Sequence, residues 1–206
     1  MQEALFLNKK ISEMVKRGKT IFKSKIKWIL ALILLTGCIY GSYTLSRYTE
    51  ADQVEAKQAQ VILDAGHGGS DPGAVYEGRR EKDDNLSLAI AVGELLSRQG
   101  VSVIYTRTTD VYQTPFEKAQ MANQADADFF ISFHRNSSEE PNQYTGVETL
   151  VYDNSDIKQT MAENINGALS ELGFRNLGVK ARPGLVVLRR TKMPALLIET
   201  GFLNNE

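Results

Sequence analysis

The amino-acid sequence predicts a three-layer α/β domain with a mixed, mostly parallel central sheet flanked by helices, preceded by an N-terminal transmembrane helix. From residue 61 onwards, short apolar runs alternate with longer segments of helical periodicity, and this β-α-β-α-β order is typical of such domains. Residues 28–46 carry no charge over nineteen positions, which is just long enough to cross a bilayer as a helix. A chain of 206 residues accommodates one domain with such an appendage.

The predicted strands are short runs of apolar, β-branched and aromatic residues. They cover residues 61–65, 101–105, 128–134, 147–152, 185–188 and 195–199. The predicted helices repeat their apolar residues every three or four positions. They begin at residues 83 or 84, 114 and 156, and end near residues 99, 124 and 172. Asp83 or Asp84 is expected to cap the first helix, and Thr114, which a proline follows, to open the second. The glycine-rich residues 66–80 are expected to form a loop.

The charge of the chain is unevenly distributed. Residues 1–47 have a net charge of +7, whereas residues 48–206 have a net charge of −8. The basic segment adjoins an apolar run, and the acidic remainder shows no stripe of cations that could neutralise phosphates. We therefore expect no nucleic-acid partner.

The N-terminal segments predict a single-pass protein of the cytoplasmic membrane. Residues 1–27 form a basic cytoplasmic segment, 28–46 a signal anchor and 47–60 a polar tether. Eight Lys/Arg precede the uncharged run and only Arg47 follows it closely, a bias that keeps the N-terminus inside and places the domain outside. Two alternatives remain. The first is a cleaved signal peptide, which would give a secreted protein. The second is lipidation at Cys38, which with the three residues before it resembles a lipobox. As Cys38 is the only cysteine, the domain has no disulfide.

Polar groups that suit a zinc centre lie at the ends of the predicted strands. The two histidines of the chain, His67 and His134, and the carboxylate Glu199 each follow an apolar run, and Glu81 lies in the loop after the first strand. Strand ends are where sites gather in α/β sheets. Two imidazoles and two carboxylates can provide the ligands and the general base of a hydrolytic zinc site. Each histidine alone could instead be structural, and Glu81 alone could be a solvated charge.

Five stretches in order resemble the zinc-dependent N-acetylmuramoyl-L-alanine amidases of the Amidase_3 type. They are residues 61–69 (VILDAGHGG), 71–74 (DPGA), 81–83 (EKD), 127–136 (ADFFISFHRN) and 193–203 (MPALLIETGFL). The resemblance implies that His67, Glu81 and His134 hold Zn²⁺ and that Glu199 is the catalytic base. It also implies peptidoglycan as the substrate, cleaved at the amide between N-acetylmuramic acid and L-alanine. We expect a monomer.

Four other residues near these motifs have candidate roles. Asn136 could bind substrate or form a turn, Arg189 could pair with a carboxylate or lie on the surface, and Asp64 could orient a ligand. Arg135 stands where relatives often have a small or apolar residue, and it could favour an anionic stem peptide or face water. Residues 135–145 favour a turn-rich loop rather than a helix that blocks the site.

The resemblance covers residues 61–206, and it leads us to expect a further C-terminal helix that these residues lack. Apolar surface beside the strand of Glu199 would then be exposed. Two other functions stay open: a zinc carboxypeptidase or endopeptidase acting on the stem peptide, and an inactive wall-binding module.

Overall fold

A computed structural model describes residues 59–205 of the chain. The strands are β1 (Gln60–Ala65), β2 (Val75–Tyr76), β3 (Arg79–Arg80), β4 (Ser102–Tyr105), β5 (Phe129–Asn136), β6 (Val147–Val151), β7 (Asn176–Ala181) and β8 (Ala195–Phe202). The helices are α1 (Glu81–Arg98), α2 (Pro115–Ala125), α3 (Asp156–Glu171) and α4 (Val186–Arg190). The predicted segments 1–27 and 28–46, and most of the tether 47–60, lie outside the described residues. No helix within residues 59–205 is long and apolar enough to cross a membrane.

The central sheet has six strands in the order β4-β1-β5-β8-β6-β7, and β2 pairs with β3 in a separate small hairpin. All neighbouring pairs of the central sheet are parallel except β6 and β8, which are antiparallel. Because β1, β5 and β8 run in the same direction, their C-terminal ends meet at one edge. The predicted mixed, mostly parallel sheet is therefore confirmed.

Two apolar clusters complete the three layers. On one face, residues of β1, β5 and β8 such as Leu63 and Phe133 pack against α1 and α3. On the other face, alternate residues such as Ile62 and Phe130 pack against α2 and α4. This alternation follows from the two-residue period of a strand. Ala195 to Ile198 of β8 are all buried, so the predicted exposure of apolar surface beside Glu199 is wrong for the described residues.

The predicted secondary structure needs correction in three places, and the first is the expected loop 66–80, which contains the short hairpin of β2 and β3. The apolar run at residues 185–188 was expected to be a strand, but it contributes to α4, which buries Val187 and Leu188 against the sheet. Four apolar residues do not distinguish a buried helical turn from a strand. Strand β7 was not predicted, because its residues are only partly buried or exposed and it contains Gly178 at φ 87°. Such a sequence has little of the apolar character that identifies a strand.

The helix starts were predicted with mixed success. Thr114 caps α2 through a capping box, in which its side chain accepts from the Glu117 N–H and the Glu117 side chain accepts from the Thr114 N–H. By contrast, α1 begins at Glu81, so Asp83 and Asp84 lie in its first turn instead of capping it. Acidic residues there are favourable near the positive end of the helix dipole. This earlier start places Glu81 at the edge of the sheet.

Candidate metal centre

His67, Glu81 and His134 come together at the edge where β1 and β5 end. Each offers one ligand atom, and these atoms all lie within 4.8 Å of one another. His67 follows β1 in a left-handed conformation (φ 60°), Glu81 is the first residue of α1, and His134 lies near the end of β5. The three predicted ligands, which are 14 and 53 residues apart along the chain, are therefore neighbours in the fold.

A single carboxylate oxygen joins the two imidazoles. Oε1 of Glu81 lies 3.1 Å from Nε2 of His67 and 3.0 Å from Nδ1 of His134, and it also accepts from the Arg135 N–H at 3.0 Å. Burial by itself would raise the pKa of Glu81. The hydrogen bonds from His134, His67 and the Arg135 backbone outweigh it and hold the pKa well below its usual range. The Glu81 carboxylate is therefore ionised at neutral pH, as a metal ligand must be.

Further contacts hold both oxygens of Glu81 in place. Its Oε2 accepts from the Ala74 N–H at 2.9 Å, and Oε1 accepts from Nδ2 of Asn85 at 3.2 Å. Asn85 lies one helical turn beyond Glu81 and is fully buried. These bonds fix the orientation of the carboxylate before any metal binds.

Asp71 orients the ring of His67. Its Oδ2 lies 2.8 Å from Nδ1 of His67, and its Oδ1 accepts from the Gly73 N–H at 3.1 Å. Burial lowers the pKa of His67, but the hydrogen bonds to Glu81 and Asp71 outweigh burial and raise it. A carboxylate on the far nitrogen is the usual partner of a metal-binding histidine, because it fixes the tautomer and increases ligand basicity.

Two glycines make room for the cluster. A Cβ at Gly66 would lie 2.4 Å from Nε2 of His134, and a Cβ at Gly73 would lie 2.5 Å from Oε2 of Glu81. Both distances are far below normal contact, so any side chain would displace the ligands. Gly73 also has φ 64°, a conformation that glycine adopts at little cost.

Glu199 lies beside this cluster on β8. It is the direct partner of His134 in the β5–β8 register and of Glu148 in the β6–β8 register. Its Oε2 is buried and has no hydrogen-bond partner among the described residues. Burial is the largest cause that raises the pKa of Glu199, to about 7. A carboxyl group that titrates near neutral pH beside the candidate ligands suits a general base.

The donor set fits zinc. Two imidazoles and one carboxylate are the protein ligands of one common class of catalytic zinc site, which leaves a position open for water or substrate. The unpartnered oxygen of Glu199 independently indicates that a ligand or water binds here. A buried carboxylate oxygen without a partner is costly unless such a group completes its surroundings.

Comparison with known proteins identifies the family. The family model of the Amidase_3 type, N-acetylmuramoyl-L-alanine amidase, matches residues 61–206. The chain belongs to the Amidase_3 family. The sporulation-specific N-acetylmuramoyl-L-alanine amidase of Bacillus subtilis (strain 168) is 36% identical to it over 149 residues, covering 70% of this chain and 56% of that protein.

Solved structures of the family agree with the fold of this Amidase_3 chain. An N-acetylmuramoyl-L-alanine amidase from Clostridium difficile 630 is 34% identical, with a TM-score of 0.69, covering 73% of this chain and 83% of that one. The catalytic domain of CwlV from Bacillus (Paenibacillus) polymyxa var. colistinus is 30% identical, with a TM-score of 0.65, covering 72% and 83%. The chain spans little more than half the length of the B. subtilis relative.

Asp64, which the sequence suggested as a residue that orients a ligand, has several buried partners. Asp64 is buried with hydrogen bonds to Thr106 (2.7 Å) and Ser132 (2.6 Å), and Nζ of Lys118 lies 2.8 Å from its Oδ1. None of these three is a predicted ligand, but Nζ of Lys118 also donates to the His67 carbonyl at 3.5 Å. Asp64 pairs with this buried lysine, and its role in orienting a ligand stays a prediction.

Asn136, Arg189 and Arg135 differ in how much protein surrounds them. Nδ2 of Asn136 donates to Glu148 at 3.0 Å, which places it beside the Glu199 strand. Arg189 is exposed on α4, and no ion pair among residues 59–205 includes it. The Arg135 side chain is only 19% exposed and its Nη2 donates to the Phe202 carbonyl at 3.2 Å, so it does not simply face water.

Several residues of the site were not singled out from the sequence. Asp71 lies four residues after His67 and Asn85 four after Glu81, and in both cases the spacing becomes meaningful only once the local backbone is known. Glu148 is buried next to Glu199 and forms an ion pair with Lys180. Its alternating strand sequence gave no sign that it faces the site, because the order of strands in the sheet was unknown.

Proposed function

We propose that this protein is a zinc-dependent amidase that hydrolyses the amide between the lactyl group of N-acetylmuramic acid and the L-alanine of the peptidoglycan stem peptide. The observation that carries the proposal is the convergence of His67, Glu81 and His134 beside the buried carboxyl group of Glu199. Family membership supports the choice of bond. The site residues by themselves support metal-assisted amide hydrolysis.

His67, Glu81 and His134 would hold the metal. When bound, zinc supplies Lewis acidity, which lowers the pKa of water to about 7 and polarises a carbonyl group. Asp71 would keep the His67 ring in one tautomer, and Asn85 would keep the Glu81 carboxylate in one orientation.

Glu199 would act as the general base and then as the general acid. Its carboxylate would take a proton from the attacking water and deliver it to the nitrogen of the departing L-alanine. A pKa of about 7 suits both roles, since the group can be ionised before attack and protonated before the amine leaves. Its neighbour Glu148, on the next strand, adds negative charge that helps to keep this pKa raised.

The test is to incubate the purified protein with peptidoglycan, with and without a chelator, and to identify the products by mass. New L-alanine amino termini on intact glycan strands would support the amidase. Cleavage within the stem peptide would support the carboxypeptidase or endopeptidase instead, and zinc binding without any product would support a wall-binding module.

A matched variant tests the role of Glu199. Glu199→Gln preserves the shape of the side chain but cannot accept the proton, so it should bind one zinc and lose about 10²–10⁴-fold of the turnover. A Gln variant that retains more than about a tenth of the wild-type rate would exclude Glu199 as the base, because that loss is smaller than general base catalysis contributes.

We also propose that residues 28–46 anchor the protein in the cytoplasmic membrane, with residues 1–27 inside and the amidase domain outside. Support for this orientation comes from the uncharged run and from the Lys/Arg bias before it. We further propose that the protein is a monomer. A reporter that functions only outside the cytoplasm, fused after Glu206, should be active, and a reporter that functions only inside should be silent. The reverse pattern would refute the orientation, and a dimer mass by light scattering in detergent would refute the monomer.

A further inference from the structure

We propose that Arg107 is a positioning residue that fixes the segments of His67 and Glu81 relative to each other. This inference rests on the proposed metal site. Arg107 follows β4 and is only 3% exposed. It is not among the residues that would touch metal or substrate, but its guanidinium group reaches backbone carbonyls next to two of the three candidate ligands.

The hydrogen bonds of Arg107 connect both ligand segments. Its Nε donates to the Ala65 carbonyl at 3.0 Å, and its Nη2 donates to the Gly66 carbonyl at 3.0 Å, just before His67. The same Nη2 donates to the Lys82 carbonyl at 2.8 Å, just after Glu81. One rigid, planar group therefore sets the distance between the end of β1 and the start of α1.

Arg107 is a buried cation that forms no ion pair with a carboxylate among the described residues. Among residues 59–205, no carboxylate lies within ion-pair distance of Arg107, and its remaining bond goes from Nη1 to the Thr109 carbonyl at 3.2 Å. Burying a charge is costly unless it is paired or fully hydrogen-bonded. Here four carbonyls accept its hydrogen bonds and the charges of Asp64, Asp110 and Asp83 act on it from a distance, so the free energy of the buried cation depends in part on the backbone geometry around the site.

Two lysines reinforce the same loop. Nζ of Lys118 donates to the Ala65 carbonyl at 2.8 Å, and Nζ of Lys82 donates to the Gly69 carbonyl at 2.7 Å. Between these fixed points, His67 has φ 60°, which is uncommon for a residue other than glycine. Backbone strain of this kind persists only where the surroundings determine the conformation. The carbonyl contacts of Arg107 are part of those surroundings.

A role in folding alone would explain the burial of Arg107 but would not affect zinc affinity in a folded variant. The test variant is Arg107→Lys, which keeps the cation but replaces the fork by one ammonium group that cannot bind both segments in the same way. The control is Arg98→Lys, on the exposed last turn of α1. Zinc affinity of each purified full-length protein is measured by competition with a chromophoric chelator, and folding is checked by thermal unfolding without metal.

We expect Arg107→Lys to bind zinc about 10-fold more weakly, the lower end of the loss for a direct partner of a metal ligand, because Arg107 acts on the ligands through the adjoining backbone carbonyls. Its Co²⁺ complex should also have a visible absorption spectrum different from that of the wild type, while Arg98→Lys matches the wild type in both measurements. A folded Arg107→Lys protein with unchanged zinc affinity would overturn the inference. A wild-type protein that binds no zinc would overturn the proposed metal site and this inference with it.

If Arg107→Lys does not fold, the wild type itself provides the test. Coupling is reciprocal: if the contacts of Arg107 favour zinc binding, zinc must favour those contacts. Hydrogen exchange of the Arg107 Nε–H, followed by NMR, should therefore slow when zinc is added. An exchange rate that does not change with zinc would contradict the proposed coupling.

Discussion

Replacing Glu199 with glutamine should stabilise the metal-free protein more at pH 8 than at pH 5. Burial raises the pKa of Glu199 from 4.5 to about 7 in the folded state. As the pH rises, the unfolded chain loses this proton first, so between pH 4.5 and 7 the unfolded state binds fewer protons than the folded state. The free energy of unfolding of the wild type therefore falls over this range and no further above it.

The size of the effect follows from the pKa. One pKa unit corresponds to about 1.4 kcal/mol, so ionised Glu199 lowers the free energy of unfolding by about 3 kcal/mol once the pH is well above 7. A little under 1 kcal/mol of this is already lost at pH 5, because the unfolded chain is then mostly ionised. Glutamine has the same shape and no proton to lose. The difference in the free energy of unfolding between Glu199→Gln and the wild type should thus be about 2–3 kcal/mol more favourable to the variant at pH 8 than at pH 5.

The assay is urea unfolding of the wild type and of Glu199→Gln at both pH values. A chelator must be present throughout, since bound metal would stabilise the folded state by mass action. Glu94→Gln, at an exposed position of α1, controls for the removal of one carboxylate from the protein. If Glu199→Gln gains no more stability at pH 8 than at pH 5, burial does not destabilise the ionised carboxyl group and the pKa of Glu199 does not lie near 7.

Three further predictions concern the same edge of the sheet. His67→Ala and His134→Ala should each lose the bound zinc; elemental analysis showing a full equivalent in either variant would exclude that histidine as a ligand. Lys118→Met should lower the free energy of unfolding by about 3–5 kcal/mol, because it leaves Asp64 buried without its cation, and a loss below about 1 kcal/mol in urea unfolding would contradict this. The folded protein should cleave peptidoglycan with zinc and no protein activator, since residues 137–146 contain no helix that could cover the site; activity that appears only when a partner protein is added would refute this.

The sequence identified His67, His134 and Glu199, which the fold brings to one edge, but it did not show the order of the strands. His67, His134 and Glu199 could be found because polar residues at the ends of apolar strands are conspicuous, and parallel strands bring such ends to one edge. The sequence could not show that Glu199 is flanked by His134 on one side and Glu148 on the other. That arrangement depends on β8 lying between β5 and β6, and no local pattern encodes the order of strands.

The errors in secondary structure have a common physical origin. Residues 185–188 and strand β7 are both determined by tertiary contacts: Val187 and Leu188 are buried because α4 covers the sheet, and β7 exists because it pairs with β6. Neither segment has a periodic pattern long enough to decide between helix and strand. By contrast, α2 was predicted from its own cap, where Thr114 and Glu117 interact locally.

The site contains three features that would each destabilise the folded state at other positions of a protein. His67 has a left-handed backbone, Arg107 is a cation buried among carbonyls, and Glu199 keeps one buried oxygen without a partner. Natural sequences tolerate such local conflicts mainly where function requires them. All three lie at the edge where the convergent imidazoles and Glu81 offer their ligand atoms, whereas the apolar clusters beneath are continuous and well buried. A cation held by His67, Glu81 and His134 would favour the ionised form of Glu199, while the backbone contacts of Arg107 and the conformation of His67 keep the ligand segments in place.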